Sequence, residues 1–509
     1  MGSTNANSRI AKNTILLYIR MIILMAVSLY TSRVVLEVLG VEDYGLYNVV
    51  GGVVTMFTFL SSAMGNSTQR YITYALGKGN LNELQKIFST TCLIHWLLAA
   101  IVLILSETVG LWFLVNKMVI PADRLVAAHW VYQFSILACI VSIVSIPYNA
   151  LVIAHEKMGT FAFLSLFYTF AKLGIAYVIM FTRYDQLVFY AGLLLAVQLL
   201  DRLFYQIYCK KQFCESRNIN MRNTTHLREM TSFAGWSILP NLATVCYSQG
   251  INILLNIFFG PTINAARGIS VQVQGVVKNF VSNFQIAVSP QIIKAYASND
   301  KRRLHALVFK SSKMSFYLLL CMALPIFIEA EYMLGVWLKE VPDHTASFLR
   351  LIILAIILDP LANPLSVANN ATGNIKKFKI WESSICLSVI PIGYLFLEMG
   401  FESEVVFVIQ IVLSVIVQVA RISLSCKDID FSYFDYLKNV VLYISLVSLV
   451  SPILPLFIYF KLPVGFFSFS LVSVLSVISV CICAYLLGLN MNERHTINSK
   501  LLKIIMKLK

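Results

Sequence analysis

Charged side chains are scarce in this sequence. Asp, Glu, Lys and Arg make up 13% of its 509 residues, whereas hydrophobic residues make up 58% and the mean hydropathy is +0.76. A soluble domain carries about 25% charged residues, so the composition excludes an ordinary soluble protein. The polar connections are short as well, and the longest runs from Lys210 to Met230. No room is left between the apolar stretches for a nucleotide-binding or catalytic domain.

Motifs for metals, disulfides and nucleotides are lacking too. The ten cysteines fall mostly inside apolar stretches, including Cys481 and Cys483, so neither a disulfide framework nor a zinc site is expected. The run Gly77-Lys78-Gly79 lacks the spacing and the Ser or Thr of a phosphate-binding loop. We therefore expect no cofactor and no metal, and any pumping would use an ion gradient or the membrane potential.

Long apolar runs are what the sequence does contain. Windows of about 20 apolar residues, the length that crosses a bilayer, predict an all-α polytopic membrane protein with fourteen transmembrane helices. The first run is too long for a signal peptide and is expected to be retained as a span. The predicted spans are residues 11–37, 45–65, 87–115, 125–153, 160–182, 187–209, 231–258, 262–290, 307–335, 346–369, 378–398, 404–424, 436–460 and 465–489.

The basic residues indicate the orientation. Most of the 40 Lys and Arg residues lie in the connections on the same side as both ends of the chain. Because Lys and Arg are enriched in cytoplasmic loops, both termini are predicted to be cytoplasmic, and the net charge of +15 does not indicate nucleic-acid binding. The runs Lys301-Arg302-Arg303 and Lys376-Lys377 are interpreted as topology signals and contacts with anionic lipids.

Internal similarity divides the chain into two repeats. Leu39-Gly40 matches Phe259-Gly260, and Leu84 matches Leu304, at the same offset of 220 residues. Similar proline-containing segments end spans 4 and 10. Because six spans is an even number, the repeats have the same orientation in the membrane. The predicted organisation is an N-terminal lobe (1–209), a cytoplasmic linker (210–230), a C-terminal lobe (231–424), and two extra spans with a basic tail (425–509).

Four spans carry polar residues along one helical face, at about 100° per residue. Each residue alone is explained by hydrogen bonds between helices. Stripes at equivalent positions of two repeats, however, favour a water-filled cavity between the two halves. The stripes are Asn13, Arg20 and Thr31 in span 1; Asn48, Thr55, Ser62 and Asn66 in span 2; Asn241, Thr244, Ser248 and Asn252 in span 7; and Arg267, Gln274, Lys278 and Gln285 in span 8.

Four cations lie inside apolar spans, where each costs roughly 2.5 to 3.5 kcal/mol unless it faces a polar interior or the interface. Lys278 is too deep in span 8 to reach the surface easily, and Arg20 shares a polar face. Both are predicted to contact an anionic substrate. Lys172 has no clear stripe and is equally well explained by a structural pair. Arg202 adjoins Asp201 and is interpreted as structural.

Three further charges have two interpretations each. Arg33 and Arg267 lie at matching positions near the outer ends of their spans, and either meet an anionic substrate or anchor helices at the headgroups. Asp359, in the Asp359-Pro360 break of span 10, is the one carboxylate at mid-depth. It either couples transport to protons or sodium or forms a salt bridge with a cavity cation.

Three motifs lie near the ends of spans in the first repeat. They are Leu39-Gly-Val-Glu-Asp-Tyr-Gly-Leu-Tyr-Asn-Val-Val50, Gln69-Arg70 with Leu76-Gly-Lys-Gly79, and Pro147-Tyr148 running into Ala154-His-Glu-Lys-Met158. In these motifs the chain resembles the Wzx-type oligosaccharide repeat-unit flippases of bacterial O-antigen and capsule pathways, which belong to the multidrug/oligosaccharidyl-lipid/polysaccharide (MOP) exporter superfamily. The resemblance covers nearly the whole chain.

The resemblance implies a MATE-like arrangement of two six-helix lobes around a central cavity, in the bacterial inner membrane. It implies alternating access and a substrate made of a polyprenyl diphosphate bearing a short glycan. The family's cationic cavity carries over by position onto Arg20 and Lys278, with Arg267, Lys172 and Arg33 as further candidates for the diphosphate. Span 2 lacks an arginine before Arg70, unlike the peptidoglycan-precursor flippases, so a lipid II substrate is not expected.

Two other functions fit parts of the sequence. A gradient-driven multidrug exporter of the same superfamily would need buried carboxylates for cationic drugs, and Asp359 is the one candidate at mid-depth. A membrane-embedded polysaccharide polymerase or glycosyltransferase would need a longer loop with paired catalytic residues. The oligomeric state and the glycan are not indicated.

Overall fold

The computed structural model describes residues 2–56, 64–65, 68–69, 71–76, 80–155, 157–217, 227–372, 375–491 and 493–494. Within these ranges the regular elements are all helical. The chain divides into two compact units, residues 1–268 and 269–509.

Among the described residues, the first unit has seven α-helices with assigned bounds and the start of an eighth. A π-helical turn at Ser106–Gly110 joins the second helix to the third, so that together they form one long rod. The helices are α1 (Gly2–Thr55), α2 (Leu81–Leu105), α3 (Leu111–Lys117), α4 (Leu125–Ala154), α5 (Met158–Val178), α6 (Gln186–Gln212), α7 (Leu227–Phe259) and α8 (Pro261–Ala297), the last of which continues into the second unit.

In the described part of the second unit, eleven further α-helices follow α8. Several are halves of one span that meet at a break, as α11 and α12 do before Asp359. The helices are α9 (Lys301–Ile328), α10 (Ala330–Trp337), α11 (Thr345–Ile356), α12 (Asp359–Thr372), α13 (Ile375–Leu387), α14 (Val389–Glu398), α15 (Val405–Ile429), α16 (Tyr433–Tyr436), α17 (Leu442–Val450), α18 (Ile453–Lys461) and α19 (Phe466–Cys483).

Twelve helices of the described residues are long and apolar enough to cross a membrane. One of them, Arg20–Thr55, runs through the break at Gly40 and includes parts of the first two predicted spans. The eighth predicted span corresponds to α8, whose polar face lowers its hydropathy. The predicted all-helical fold with about fourteen spans is therefore confirmed.

The two repeats end and begin corresponding helices with the same backbone geometry, at the same offset of 220 residues. Gly40 and Gly260 both have positive φ, of 76° and 79°, a conformation that glycine adopts without the strain of a Cβ. At the same offset, Asn80 and Asp300 cap the helices that follow, since their side chains accept from the backbone N–H of Glu83 and Arg303. A weak sequence similarity thus corresponds to the same backbone geometry.

A polar bridge is also repeated. In the first unit, Arg124 Nη1 lies 2.6 Å from an oxygen of Asp185, the N-cap of α6. In the second, His344 Nδ1 lies 2.6 Å from an oxygen of Glu404, the residue before α15. Arg124 also pairs with Asp43 of the motif after the first span. The same bridge in both repeats ties the start of the fourth span of each lobe to its sixth.

A close approach of two helices requires glycine at position 45. A Cβ placed on Gly45 would overlap the carbonyl of Pro261 at the start of α8, whereas one placed on Gly51, in the same part of α1, would meet no atom within 4 Å. We expect Gly45→Ala to destabilise the protein by about 1 to 3 kcal/mol, because the helices must separate. Gly51→Ala should leave stability unchanged or raise it by up to about 1 kcal/mol. Melting of the purified protein in detergent measures both, and equal losses would contradict the close approach.

Candidate functional site

A cavity of about 500 Å³ lies in the second unit, among α8, α12, α13 and α15. This volume is in the range of small-molecule pockets, about 300 to 1,000 Å³. Its wall is mixed, with apolar side chains beside an unusual number of charges for a helical membrane protein. The side chains that carry its chemistry are Lys278, Gln285, Asp359, Lys379, Glu382 and Arg421.

Lys278 and Asp359 form an ion pair in the cavity wall. Lys278 lies near the middle of α8, and Asp359 begins α12 directly after the break in the tenth span. The Lys278 ammonium is 2.7 Å from a carboxylate oxygen of Asp359, and their side chains are 44% and 40% exposed. The structure thus contains the salt bridge to a cavity cation that was one of the two roles considered for Asp359. The coupling role stays a prediction.

Gln285 supports the break that presents Asp359. Its side chain is buried, and its Nε2 donates a hydrogen bond of 2.9 Å to the carbonyl oxygen of Pro360. Proline has no backbone N–H, so the carbonyl four residues before it in a helix lacks its usual donor. That carbonyl needs a hydrogen bond from another group. Gln285 lies two helical turns from Lys278 on α8. One helix therefore supplies both the cation that pairs with Asp359 and the amide that holds the adjacent backbone.

A second ion cluster lies in the same cavity. Glu382 on α13 accepts from Arg421 of α15, at 2.6 Å from Nη2, and from Lys379 one turn earlier, at 2.7 Å from Nζ. Sequence analysis missed all three residues. Lys379 and Arg421 lie near the ends of predicted spans 11 and 12, where basic residues were counted as cytoplasmic. The available signal was the Lys379–Glu382 spacing of three residues, which places opposite charges on one helical face.

The cavity carries three cations and two carboxylates, and therefore a net positive charge. Charges in a wall of low dielectric interact more strongly than charges in water. An anion that enters the cavity can replace Asp359 or Glu382 as the partner of these cations, because all three ion pairs lie in the cavity wall. The arrangement suits reversible binding of a multivalent anion.

The predicted cations of the first unit contact hydroxyl and aromatic groups. Arg20 Nε donates to Ser165 Oγ, and its guanidinium lies 4.5 Å from the ring centre of Phe161, also on α5. Among the described residues, no carboxylate pairs with Arg20, Lys172 or Arg202. Cation–π contacts of this kind stabilise a partly desolvated cation by about 0.5 to 2 kcal/mol. The other two cations lie over rings as well, Lys172 over Tyr168 at 4.5 Å and Arg202 over Trp96 at 5.8 Å.

Arg267 is a buried cation of the first unit. It is 7% exposed, and its Nη2 donates to the carbonyl oxygen of Ser248 at 2.7 Å. Its Nε has no hydrogen-bond partner among the described residues. Arg33 is half-buried in α1. Arg267 is therefore enclosed by protein, while its role toward a substrate stays a prediction.

Comparison with solved structures identifies the architecture. No family model matches the chain, and no curated protein matches it. An inward-facing MATE-family multidrug resistance transporter of the MOP superfamily has a TM-score of 0.69, with 82% of this chain and 99% of that chain covered at 14% identity. The lipid II flippase MurJ, in an inward closed conformation, has a TM-score of 0.70, with 93% and 98% covered at 13% identity. The chain has the MOP-superfamily fold.

A third MOP-superfamily transporter, from Pyrococcus furiosus, has a TM-score of 0.61, with 82% of this chain and 96% of that chain covered at 14% identity. It was described as having a binding pocket of reverse polarity that suggests a different function. Together with the twelve apolar helices, the MOP fold makes the chain a multi-pass membrane protein. At identities this low the similarity shows the fold alone.

Within the MOP fold, several stripe residues join helices to one another. Asn252 on α7 donates to the carbonyl oxygen of Asn48 on α1 at 3.3 Å. Asn264 on α8 in turn donates to Asn252 Oδ1 at 2.8 Å. Asn48 uses its own amide within α1, where it donates to the carbonyl of Tyr44. These amides hold α1, α7 and α8 together. For these residues the structure therefore shows the hydrogen bonding between helices that was the alternative to a water-filled cavity.

The remaining predicted residues are dispersed. Thr55 donates to the carbonyl of Gly52 in its own helix, and Gln274 is half-buried on α8. Ser62 and Asn66 lie outside the described residues, as does the side chain of Asn241. Of the predicted site residues, the structure brings Lys278, Gln285 and Asp359 together at the cavity of the second unit.

Proposed function

We propose that this protein is a flippase that moves a polyprenyl-diphosphate-linked oligosaccharide from the cytoplasmic to the periplasmic leaflet of a bacterial inner membrane, with both termini cytoplasmic. The observation that carries the proposal is the excess of cations over carboxylates in the cavity of the second unit. A diphosphate is a multivalent anion and matches this charge. The similarity of fold to a lipid II flippase supports a lipid-linked substrate in general.

The diphosphate would bind by exchange of ion pairs. Lys278 would release Asp359 and donate to a phosphate oxygen, and Arg421 offers a planar guanidinium suited to bidentate contact with phosphate. The polar face of α12 in the same cavity could meet sugar hydroxyls through Asn363, Ser366 and Asn370. The polyprenyl tail would stay in the bilayer. Arg20, Lys172, Arg33 and Arg267 remain contacts proposed from the sequence.

Alternating access needs a driving force, and Asp359 is the residue we propose for coupling to protons or sodium. Its carboxylate is half-exposed in the cavity and has Lys278 as its ion-pair partner. When a substrate anion pairs with Lys278, the Asp359 carboxylate loses its partner and can bind a coupling cation. Binding of the anion and of the coupling ion would then be linked through one side chain.

Deletion of the gene tests the proposal in the intact cell. We expect loss of surface polysaccharide and accumulation of the polyprenyl-diphosphate-linked repeat unit, and both should be restored by the wild-type gene. Electrophoresis of surface glycans and mass spectrometry of lipid extracts measure the two effects. Unchanged surface glycan in the deletion strain would contradict the flippase proposal.

Export of cationic drugs is the second candidate, because the cavity holds two carboxylates and the fold is shared with a multidrug resistance transporter. Both carboxylates are paired with cations, however, which leaves no net negative charge for a cationic drug. A deletion strain that is hypersensitive to cationic dyes, with intact surface glycan, would favour the exporter.

A further inference from the structure

A second cavity, of about 690 Å³, forms a groove between α5 and α6 in the first unit. Its wall is largely apolar and rich in aromatic rings. Because contributing residues recur every three or four positions on each helix, the groove follows the two helices lengthwise. The α5 wall is formed by Gly159, Thr160, Phe163, Leu164 and Phe167, and the α6 wall by Phe204, Ile207, Tyr208 and Lys211.

The groove is open to the surroundings of the protein. Phe163 is 68% exposed and Ile207 49%, on helices that are long and apolar enough to span the membrane. Phe167 and Phe204 meet edge to face at 5.2 Å and form one end of the groove. Gly159 leaves the other end open, since a Cβ at this position would meet no atom within 4 Å. Hydrocarbon chains of the bilayer therefore have access to an apolar channel lined by aromatic rings.

The open end of the groove is polar and cationic. Thr160 Oγ1 donates to the hydroxyl of Tyr208 at 3.0 Å, and Lys211 lies one turn beyond Tyr208. Lys211 is exposed, and in the described part of the chain its ammonium makes neither an ion pair nor a hydrogen bond. Two more exposed lysines, Lys157 and Lys210, occur at this end of the two helices.

The carbonyls at the C-terminal end of α6 are neutralised, so they do not repel an anion at Lys211. The last carbonyls of a helix carry partial negative charge and would repel a phosphate. Arg217, however, folds back over this end, where its Nε donates to the carbonyl of Lys210 at 3.1 Å and its Nη2 to that of Lys211 at 3.3 Å. The guanidinium thus neutralises the carbonyls beside the Lys211 ammonium.

We infer that this groove binds an acidic phospholipid, with one acyl chain along the aromatic walls and the phosphate at Lys211. An apolar channel that ends at the Lys211 ammonium, with Lys157 and Lys210 at the same helix ends, matches an amphiphile with a negatively charged headgroup. A zwitterionic lipid offers no net charge to the same site, so the preference should be for acidic headgroups. This site lies apart from the cavity of the second unit and does not depend on the proposed transport function.

Photo-crosslinking in vesicles tests the site. A photoreactive phenylalanine analogue is placed at position 163, and the full-length protein is reconstituted in phosphatidylcholine vesicles that contain phosphatidylglycerol. We expect the lipid adducts, identified by mass spectrometry, to be enriched several-fold in phosphatidylglycerol over its share of the bilayer. The same analogue at position 181, which is 86% exposed beyond the end of α5 and outside the groove, should report the bulk composition.

Charge variants separate the site from the general basic surface. Lys211→Ala should abolish the enrichment at position 163, Lys211→Arg should keep it, and Lys210→Ala, at the same helix end but outside the groove, should leave it unchanged. Equal enrichment at positions 163 and 181, or enrichment that survives Lys211→Ala, would overturn the assignment. A competition experiment adds undecaprenyl phosphate to the vesicles. If this lipid displaces phosphatidylglycerol from the adducts at position 163, the groove binds the polyprenyl carrier and the assignment is overturned.

Discussion

Replacement of Lys278 by alanine is expected to lower export of the lipid-linked glycan at least about tenfold. A hydrogen bond to a charged group contributes about 1.5 to 3 kcal/mol, and each 1.4 kcal/mol corresponds to about a factor of ten in affinity. The substitution also leaves Asp359 without its partner at 2.7 Å and removes the net positive charge of the cavity. Surface polysaccharide per transporter molecule, in a strain that carries only the variant, measures the effect.

The double variant Lys278→Ala/Asp359→Ala distinguishes two reasons for such a loss. It restores the charge balance of the cavity but not the ammonium group. If Lys278 binds the diphosphate, the double variant should stay defective, and Lys278→Arg should keep most of the export. Full recovery in the double variant would mean that Lys278 only neutralises Asp359, and the diphosphate assignment would be lost. Lys301→Ala is the control, because Lys301 pairs with Asp430 on the exposed surface of the same unit.

The helical type and the approximate number of the spans could be predicted because a membrane span must be long, apolar and internally hydrogen-bonded. These are local properties of the sequence. The break at Gly40 could also be located, because its counterpart Gly260 occurs at the same place in the second repeat. The repeated bridges of Arg124 and His344 were not foreseen, since they join residues about 60 positions apart whose identity differs between the repeats.

The polar stripes show what helical phase can and cannot predict. Phase places Asn48, Asn252 and Lys278 on polar faces, but it does not say whether water or another helix lies opposite. For Asn252 it is another helix, since its amide donates to the backbone carbonyl of Asn48 on α1. For Asn48 it is α8, since a Cβ placed on Gly268 would come within 3.1 Å of the Asn48 amide. For Lys278 it is an open cavity.

The second ion cluster of the cavity lay beyond prediction for a related reason. Glu382 and Arg421 come from different spans, and only tertiary packing brings them to 2.6 Å. A charge near the end of a predicted span has two equally good interpretations in the sequence, as a topology signal and as a cavity residue. Lys313 was missed in the same way.

Lys313 is the basis of the largest expected effect on stability. It is 1% exposed within α9, and its ammonium lies 2.7 Å from a carboxylate oxygen of Glu493, beyond the last span. It also lies 4.8 Å from the ring centre of Tyr443. Removal of one partner of a buried ion pair costs about 3 to 5 kcal/mol, because the other charge stays buried and uncompensated. We expect Lys313→Ala to lower the melting temperature of the purified protein in detergent markedly and to reduce its yield.

The exposed pair of Lys301 and Asp430 is the matched control, with side chains 58% and 75% exposed at a distance of 2.6 Å. Lys301→Ala should cost no more than about 1 kcal/mol, because water already solvates both charges. The double variant Lys313→Met/Glu493→Gln removes both buried charges and should recover most of the stability lost in Lys313→Ala. Equal melting temperatures for Lys313→Ala and Lys301→Ala would contradict this expectation. They would show that Glu493 is solvated or paired with another cation once Lys313 is removed.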